Sequence, residues 1–388
     1  MKSGRESLLT IGEPAPWVVI GSRQRPDFKL DTLAGRFVVL SFFLSAAWPA
    51  GRRIVDAFFA ARTRFDDERV SWAGVSIDPD DDRLARVLES LPGMRPLWDF
   101  QGVASHLYGA LRGTNTASGA VAAAMAGNPT GAYFPHTLLL DRQLRVIETF
   151  AFQETKETPE RHVARVLEAV DRLPELEPPQ LAVPQAPVLV LPRVFEPELC
   201  RRLIAYYDER GGEDSGFMRE RDGMTVLITD YSHKQRRDQD IEDPRLRHSC
   251  MVRIHDRILT ELERAYQFRA TRIERYIVAC YDAASGGHFR PHRDNTTKGT
   301  AHRRFAVSLH LNSGEYDGGY LRFPEFGNRV YTAPPGGAIV FSCSLMHEAT
   351  PVTRGRRYMF LPFLYDDAAA AVRQENLQYL ADSPDRHG

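Results

Sequence analysis

The chain has 388 residues and carries 50 Lys and Arg against 51 Asp and Glu, for a net charge of −1. Near-neutrality gives no global electrostatic attraction to nucleic acid or to an anionic membrane. With 43% hydrophobic and 26% charged residues, the composition is that of a globular protein and excludes a disordered or fibrous chain. At about 100–200 residues per domain, the length predicts two domains or one large domain.

The sequence also argues against a membrane protein and against a disulfide-stabilised protein. The longest apolar run, Phe37–Trp48, is shorter than the roughly 20 helical residues that span a bilayer. The N-terminal residues lack the apolar segment of a signal peptide. The cysteines form no Cys-x-x-Cys motif, so we expect neither a disulfide framework nor a zinc site, and we predict a cytoplasmic protein without a membrane partner. They are Cys200, Cys250, Cys280 and Cys343.

A proline-rich stretch divides the chain. Six prolines lie between positions 174 and 192, and proline lacks the backbone donor that helices and central strands need. We therefore predict a linker over 174–192, with domains at 1–173 and 193–388.

The first half alternates strand and helix signals. Phe37–Leu44 is a continuous apolar run typical of a buried strand, and Val70–Ile77 predicts a second strand. Between them, Arg52–Phe65 has the apolar clustering of a helix. Thr137–Leu140 and Arg145–Phe150 predict a hairpin. The pattern is that of an α/β domain.

The second half consists mainly of short strands. Arg304–Leu311 alternates, with Ala306, Ser308 and His310 on one face. Closely spaced strands with glycine turns predict an antiparallel sandwich or jelly roll. The further predicted strands are Tyr320–Phe323, Arg329–Thr332, Ala338–Cys343 and Tyr358–Tyr365.

The phrases FVVLSFF, WAGVSIDPDDD and YFPHTLLLDRQLRVIETF resemble the redoxin/peroxiredoxin family over roughly residues 8–170. The resemblance implies a thioredoxin-like fold with a reactive cysteine at a helix N-terminus, but the corresponding stretch Ser45–Gly51 has none. Thiol peroxidase and disulfide exchange need that sulfur, so we predict a scaffold or recognition module. Pro135 lies where such folds place a cis-proline before a strand. It is interpreted either as part of a peptide-docking surface or as a turn that fixes how the chain enters the strand.

Metal-ligating residue types recur in the second half. His292 and Asp294 form the one His-x-Asp motif and follow a glycine turn. His347 follows after the apolar strand, and Arg357 lies ten residues beyond His347. Two imidazoles and one carboxylate on one face of an ion form the 2-His-1-carboxylate arrangement of non-haem Fe(II) oxygenases. Arginine suits bidentate binding of a carboxylate.

The phrases VACYDAASGGHFRPHRDN, LHLNSGEYDGGYLRFPEFG and PPGGAIVFSCSLMHEATPVTRGRRY resemble the 2-oxoglutarate/Fe(II) oxygenase superfamily, specifically its prolyl 4-hydroxylase branch, over 187–366. The resemblance implies a double-stranded β-helix (jelly roll, cupin-like) that uses Fe(II), 2-oxoglutarate and O2, with ascorbate as an accessory reductant. It carries the metal ligands onto His292, Asp294 and His347, the clamp for the distal carboxylate onto Arg357, and a cosubstrate hydrogen bond onto Tyr281.

The chain departs from the branch at two positions. The tyrosine of its Tyr-Leu-Asn motif is His310 here, which makes an imidazole the second donor to the distal carboxylate. We therefore expect 2-oxoglutarate binding to weaken as the pH rises through about 6.5, where histidine titrates. A tyrosine three residues before the first metal histidine is Phe289. Arg356 is an alternative clamp, although strand alternation points it away from the face of Arg357.

The expected function is hydroxylation of an unactivated C–H bond, in an amino-acid residue of a peptide or protein or in a small amino-acid-derived metabolite. The alternative is a non-catalytic binding or sensor protein whose redoxin-like half docks a protein. The basic run His233–Arg237 predicts a solvated face rather than a nucleic-acid site. A homodimer is left open.

Overall fold

A computed structural model describes residues 5–127 and 131–380. The chain divides into two compact units, residues 1–179 (unit 1) and 180–388 (unit 2). The outer ends of the two expected domains, 1–4 and 381–388, lie outside the described residues. Within the described ranges, no helix is both long enough and apolar enough to cross a bilayer.

Unit 1 is built on one seven-stranded mixed sheet with the strand order β2-β1-β5-β4-β3-β6-β7, and the predicted α/β character is confirmed. The strands are β1 Val19–Ser22, β2 Phe28–Lys29, β3 Phe37–Leu44, β4 Val70–Ser76, β5 Met94–Trp98, β6 His136–Leu140 and β7 Val146–Ala151. The helices are α1 Pro49–Ala60, α2 Pro79–Arg83, α3 Val103–Leu107, α4 Ala117–Met125 and α5 Pro159–Asp171.

The central strand β3 is buried along its whole length because it runs parallel to β4 on one side and antiparallel to β6 on the other. A strand covered on both faces needs a continuous apolar sequence rather than alternation, which is what the run predicted. The peptide bond before Pro135 is not cis, so that expectation is wrong. Within the described residues, the one cis bond is Leu91-Pro92.

Carboxylates occupy the junction between β3 and α1, where the resemblance implied a thiol. The Ser45 hydroxyl donates to Asp78 Oδ2 at 2.6 Å, and the Ala46 amide donates to Asp81 Oδ2 at 2.8 Å. Arg86 lies 3.1 Å from Asp78. These acidic groups would disfavour a thiolate at this helix start.

Gly51, in the first turn of α1, has no room for a side chain. A Cβ added there would lie 2.2 Å from the Ser45 carbonyl oxygen and 2.7 Å from the Phe43 carbonyl oxygen. Because backbone atoms cannot move aside as a flexible side chain can, any residue larger than glycine would have to displace the strand end or the helix.

In its described residues, unit 2 contains two larger antiparallel sheets, the two-stranded pairs β10-β11 and β18-β23, and four α-helices. Its strands are β8 Leu189–Leu191, β9 Glu213–Asp214, β10 Phe217–Arg221, β11 Met224–Ile228, β12 Lys234–Gln235, β13 Arg237–Asp240, β14 Arg272–Glu274, β15 Ile277–Asp282, β16 His288–His292, β17 Phe305–His310, β18 Asp317–Gly318, β19 Leu321–Arg322, β20 Val330–Tyr331, β21 Ala338–Ser342, β22 His347–Ala349, β23 Val352–Arg354, β24 Arg356–Phe360 and β25 Phe363–Tyr365. Its helices are α6 Pro197–Arg210, α7 Pro244–Ile254, α8 Thr260–Tyr266 and α9 Asp367–Glu375.

The major sheet has the order β14-β25-β17-β24-β15-β13-β9, with β21 and β8 added beside β17, and the minor sheet has the order β12-β16-β22-β19-β20. Alternation along β17 explains the layering. Val307 and Leu309 pack with the helices, whereas Ala306 packs against residues of the minor sheet. The space between the two sheets is where the functional side chains lie.

The end of the expected linker belongs to unit 2. Leu189–Leu191 form β8 and pair with β21, and the Ala186 amide donates to the Tyr331 hydroxyl at 2.8 Å. The division between the two units falls within the proline-rich stretch. The apolar sequence VLVL near the C-terminal end of that stretch nevertheless contributes a strand to unit 2.

Replacing Gly51 by Cys tests whether this helix start can host a reactive thiol. Because the Cβ would overlap backbone oxygens, we expect a loss of about 1–3 kcal/mol in unfolding free energy, as for overpacked sites, and no peroxide consumption. Thermal unfolding and a peroxide assay measure both. Gly119→Ala, inside α4, is the control, since its Cβ would meet only Thr116 Oγ1 at 3.0 Å. A Gly51→Cys protein of wild-type stability that consumes peroxide would refute the steric account.

Candidate metal centre and carboxylate site

Strand pairing brings the metal-ligating residues together. β16 and β22 are antiparallel neighbours in the minor sheet, and their register sets His292 directly opposite His347. The two imidazole centroids are 4.3 Å apart. Asp294 follows two residues after the end of β16, with its amide donating to the Cys343 carbonyl at 3.0 Å. The register therefore converts a long sequence separation into side-chain contact.

The three side chains converge on one point. His347 Nε2 lies 3.3 Å from Asp294 Oδ2, and His292 Nε2 lies 3.6 Å from Asp294 Oδ1. One ligand atom from each residue lies within 4.8 Å of the others, and in the described part of the chain this is the one such group of His, Cys, Asp or Glu. The spacing suits ligands that surround a single ion.

Backbone carbonyls orient both rings. His292 Nδ1 is 2.8 Å from the Arg290 carbonyl and His347 Nδ1 is 3.0 Å from the Leu345 carbonyl. Because a carbonyl only accepts, each Nδ1 must carry the proton, which leaves the Nε2 lone pair facing Asp294. This is the tautomer that a metal ligand requires.

The protonation states also fit a divalent metal. Burial and the neighbouring His292 lower the pKa of His347 to about 4, so its ring is neutral at pH 7. Burial tends to raise the pKa of Asp294, but His347 and His292 outweigh it and hold that pKa below its usual range. Two imidazoles and one carboxylate form the donor set expected for non-haem Fe(II).

Phe289, a departure from the prolyl 4-hydroxylase pattern, packs directly on the metal site. Its ring stacks on His292 at a centroid distance of 3.5 Å and an interplanar angle of 21°. Phenylalanine lacks the tyrosine hydroxyl, so only an apolar ring packs against His292. This stacking restricts the orientation of the His292 ring.

Arg357 is a buried cation without an anionic partner. It lies in β24 opposite Tyr281 of β15, is 1% exposed, and places its guanidinium 4.8 Å from the Tyr281 ring centroid. Its Nε and Nη2 have no hydrogen-bond partner in the described residues. An uncompensated buried charge is costly, and a planar donor pair of this kind matches a carboxylate. Gly319 leaves it room, because a Cβ there would lie 2.6 Å from Arg357 Cδ.

Arg356 points the other way, as strand alternation predicted. Its side chain is exposed and donates to Asp282 Oδ2 at 2.9 Å. This arginine already has a carboxylate partner outside the space between the sheets, which leaves Arg357 as the residue suited to a ligand.

His310 is fully buried and neutral. Its Nδ1 is 3.0 Å from the Tyr316 hydroxyl, and its Nε2 has no partner in the described residues. Burial, and then the charge of Arg357, lower the pKa of His310 well below 6.5. The ring of His310 is therefore already uncharged at pH 6.5. The prediction that its titration weakens 2-oxoglutarate binding near that pH is wrong.

The basic run His233–Arg237 is only partly a solvated face. Lys234 and Arg236 are 4% and 6% exposed, whereas Arg237 is exposed. Arg236 forms an ion pair with Asp238 and donates to the Tyr281 hydroxyl at 3.3 Å. The period-two spacing of the charged residues Lys234, Arg236 and Asp238 was the signal that sequence reasoning missed.

These groups line one pocket between the two sheets. Five of the six residues singled out from the sequence line it, and the sixth, His310, is not among the lining residues. Two further arginines line the pocket that the sequence had not indicated. The charged, metal-ligating and tyrosine side chains are His292, Asp294, His347, Tyr281, Arg357, Arg236 and Arg275.

Residues 276–365 match the 2OG-Fe(II) oxygenase superfamily. Over 116 residues, the chain is 33% identical to a PKHD-type hydroxylase of Synechococcus sp. (strain JA-2-3B'a(2-13)), a match that covers 27% of this chain and 51% of the relative. The chain thus spans about half the length of that relative. The family match falls within unit 2, where the sequence shows the same resemblance.

Solved structures are similar to each part of the chain. A prolyl hydroxylase of Trichoplax adhaerens, in complex with a hypoxia inducible factor peptide fragment, covers 48% of this chain and 86% of its own, with 18% identity and a TM-score of 0.37. Peroxidoxin BcpB of Mycobacterium tuberculosis covers 43% of this chain and 99% of its own, with 18% identity and a TM-score of 0.34.

Replacing the two arginines of β24 one at a time tests which of them binds the carboxylate. Arg357→Gln should weaken 2-oxoglutarate binding more than a hundredfold, because losing one partner of a buried charged pair costs about 3–5 kcal/mol. Arg356→Gln, which breaks only an exposed pair, should change binding less than about fivefold. Anaerobic calorimetric titration gives both constants, and equal or reversed effects would move the carboxylate site away from Arg357.

Proposed function

We propose that unit 2 is an Fe(II)- and 2-oxoglutarate-dependent dioxygenase that hydroxylates an unactivated C–H bond in an amino-acid residue or in an amino-acid-derived metabolite. One observation carries the proposal. A complete His292, Asp294 and His347 donor set and an unpaired buried cation, Arg357, line the same pocket. A metal site with a carboxylate receptor beside it is what a 2-oxo dicarboxylic acid needs.

In this proposal His292, Asp294 and His347 hold the iron on one face, and O2 is the second cosubstrate. The bound iron and 2-oxoglutarate supply oxidative decarboxylation to succinate, with ascorbate as an accessory reductant. The protein contributes ligand geometry, through the two backbone-oriented rings, and a buried site in which charged groups interact strongly.

Arg357 and His310 are proposed to receive the distal carboxylate together. Arg357 offers Nε and Nη2, the two atoms that lack partners. When the Tyr316 hydroxyl donates to His310 Nδ1, the neutral ring carries its proton on Nε2, which can then donate to the same carboxylate. Tyr281, fixed between Arg236 and Arg357 by one hydrogen bond and two ring contacts, borders the cosubstrate position.

The domain organisation that goes with this function is a thioredoxin-like domain without a catalytic cysteine at 1–173, a linker beginning at 174, and a double-stranded β-helix dioxygenase up to 388. Two features of unit 1 support a non-catalytic role for it. All four cysteines, each buried, lie beyond it, and Gly51 leaves no space for one at the helix start. A substrate-positioning role fits both features.

Turnover tests the proposal directly. The full chain with Fe(II), 2-oxoglutarate and O2 should release succinate, even without a primary substrate, at a slow uncoupled rate. Asp294→Ala should abolish it, because the carboxylate ligand is lost. Asp317→Ala removes an exposed carboxylate that pairs with Arg354 and is the control. Succinate release no greater than in Asp294→Ala would instead favour a silent binding or sensor protein.

A further inference from the structure

Arg275 shares with Arg357 the property that marks a carboxylate receptor, and nothing in the proposed function uses it. It lies between β14 and β15 with a φ of +68°, in the left-handed region that long side chains rarely adopt. Its side chain lines the same pocket as the metal ligands. Backbone strain of this kind persists only where the surrounding structure imposes it, and it clusters at functional sites.

Among the described residues, no carboxylate forms a hydrogen bond or a close ion pair with the guanidinium of Arg275. Nη2 donates to the Leu361 carbonyl at 3.3 Å, and the group lies 4.8 Å from the Phe363 ring centroid. Its buried Nε has no hydrogen-bond partner in the described residues. Burial, together with Arg236 and Arg303, lowers the pKa of Arg275 to about 10, which still leaves it charged at neutral pH.

The neighbouring cations are compensated, and Arg275 is not. Arg236 pairs with Asp238. Arg303 pairs with Glu274 at 2.7 Å, and the same carboxylate lies 2.6 Å from His302. Asp238 and Glu274 also act on Arg275 and partly offset the lowering of its pKa, but both carboxylates are engaged in these pairs, and within the described residues Arg275 forms no ion pair of its own. Such a charge is retained at a cost unless a ligand neutralises it.

Arg275 and Arg357 occupy different ends of the pocket. Arg357 is the second residue of β24, whereas the carbonyl that Arg275 contacts belongs to Leu361, just after the strand ends. Four residues of strand separate them, or roughly 13 Å along the backbone. The two guanidinium groups lie over different rings, Tyr281 and Phe363. A cosubstrate held by Arg357 leaves Arg275 available.

Arg275 is also linked to the metal end of the pocket. Arg303 shares the Phe363 ring with it, at 4.1 Å from the centroid, and Arg303 Nη1 lies 3.5 Å from the Asp294 carbonyl oxygen. Arg275 therefore packs in the same cluster of side chains as Arg303, which contacts Asp294, the proposed carboxylate ligand of the metal.

We propose that Arg275 binds a carboxylate of the primary substrate, so that the hydroxylated molecule is a small amino acid or N-acyl amino acid with a free carboxyl end. This inference rests on the proposed function and narrows its substrate class. The backbone of an internal peptide residue offers only neutral amide carbonyls and would leave the charge unpaired, whereas a free carboxyl end matches the guanidinium in charge and in geometry.

The probes are N-acetyl amino acids and their matched carboxamides, titrated calorimetrically into the full chain with Fe(II) and 2-oxoglutarate under anaerobic conditions. We expect acids to bind and carboxamides to bind at least tenfold more weakly. Arg275→Gln should reduce acid binding by a similar factor while the affinity for 2-oxoglutarate falls far less. Arg272→Gln, three residues earlier in β14 and paired with Asp367 at the surface, is the matched control and should bind the acids as the wild type does.

Several results would overturn the inference. These are equal binding of acids and carboxamides, no binding of any acid, binding only of an end-capped peptide with an internal Glu, or an Arg275→Gln loss confined to 2-oxoglutarate. Because the titration needs no turnover, its result is independent of the succinate assay. An acid that binds through Arg275 without succinate release would refute the proposed reaction and leave the carboxylate site standing.

Discussion

The antiparallel register of β16 and β22 is the constraint on which the site depends. It sets His292 opposite His347 and lets the turn after β16 bring Asp294 back onto both rings. A slip of one residue would turn the side chains of one strand to the opposite face of the sheet and separate the ligands. Phe289 and Ala349, which are paired across the same two strands and buried in one apolar cluster, stabilise the register because a slip would expose one of them.

Within that frame, charge compensation separates structural cations from ligand-binding ones. Arg236 has Asp238 and Arg303 has Glu274, so these pairs hold strands and loops in place without help. Arg357 and Arg275 are left with unpartnered nitrogens. Buried charges of this kind are costly in the free protein, and under the proposed function they form a preformed receptor that need not reorganise when a carboxylate binds.

Sequence reasoning reached the residues whose chemistry is visible in their type and spacing. His292, Asp294, His347 and Arg357 were predicted because metal ligation and carboxylate binding require those side chains. Arg275 and Arg236 escaped it because burial depends on which strands pair, and a run of charges resembles a surface until that pairing is known. The pKa of His310 was misjudged for the same reason, since full burial beside Arg357 has no signature in the sequence. The cis peptide bond before Pro135 was expected only because the sequence resembles the redoxin/peroxiredoxin family.

The most direct test of the central claim is an anaerobic visible spectrum of the full chain with Fe(II) and 2-oxoglutarate. The account predicts a weak charge-transfer band in the visible region that requires both additions, disappears in His347→Ala, and needs far more 2-oxoglutarate in Arg357→Gln. Absence of the band in the wild type, or an undiminished band in His347→Ala, would contradict the assignment of His292, Asp294 and His347 as the metal ligands.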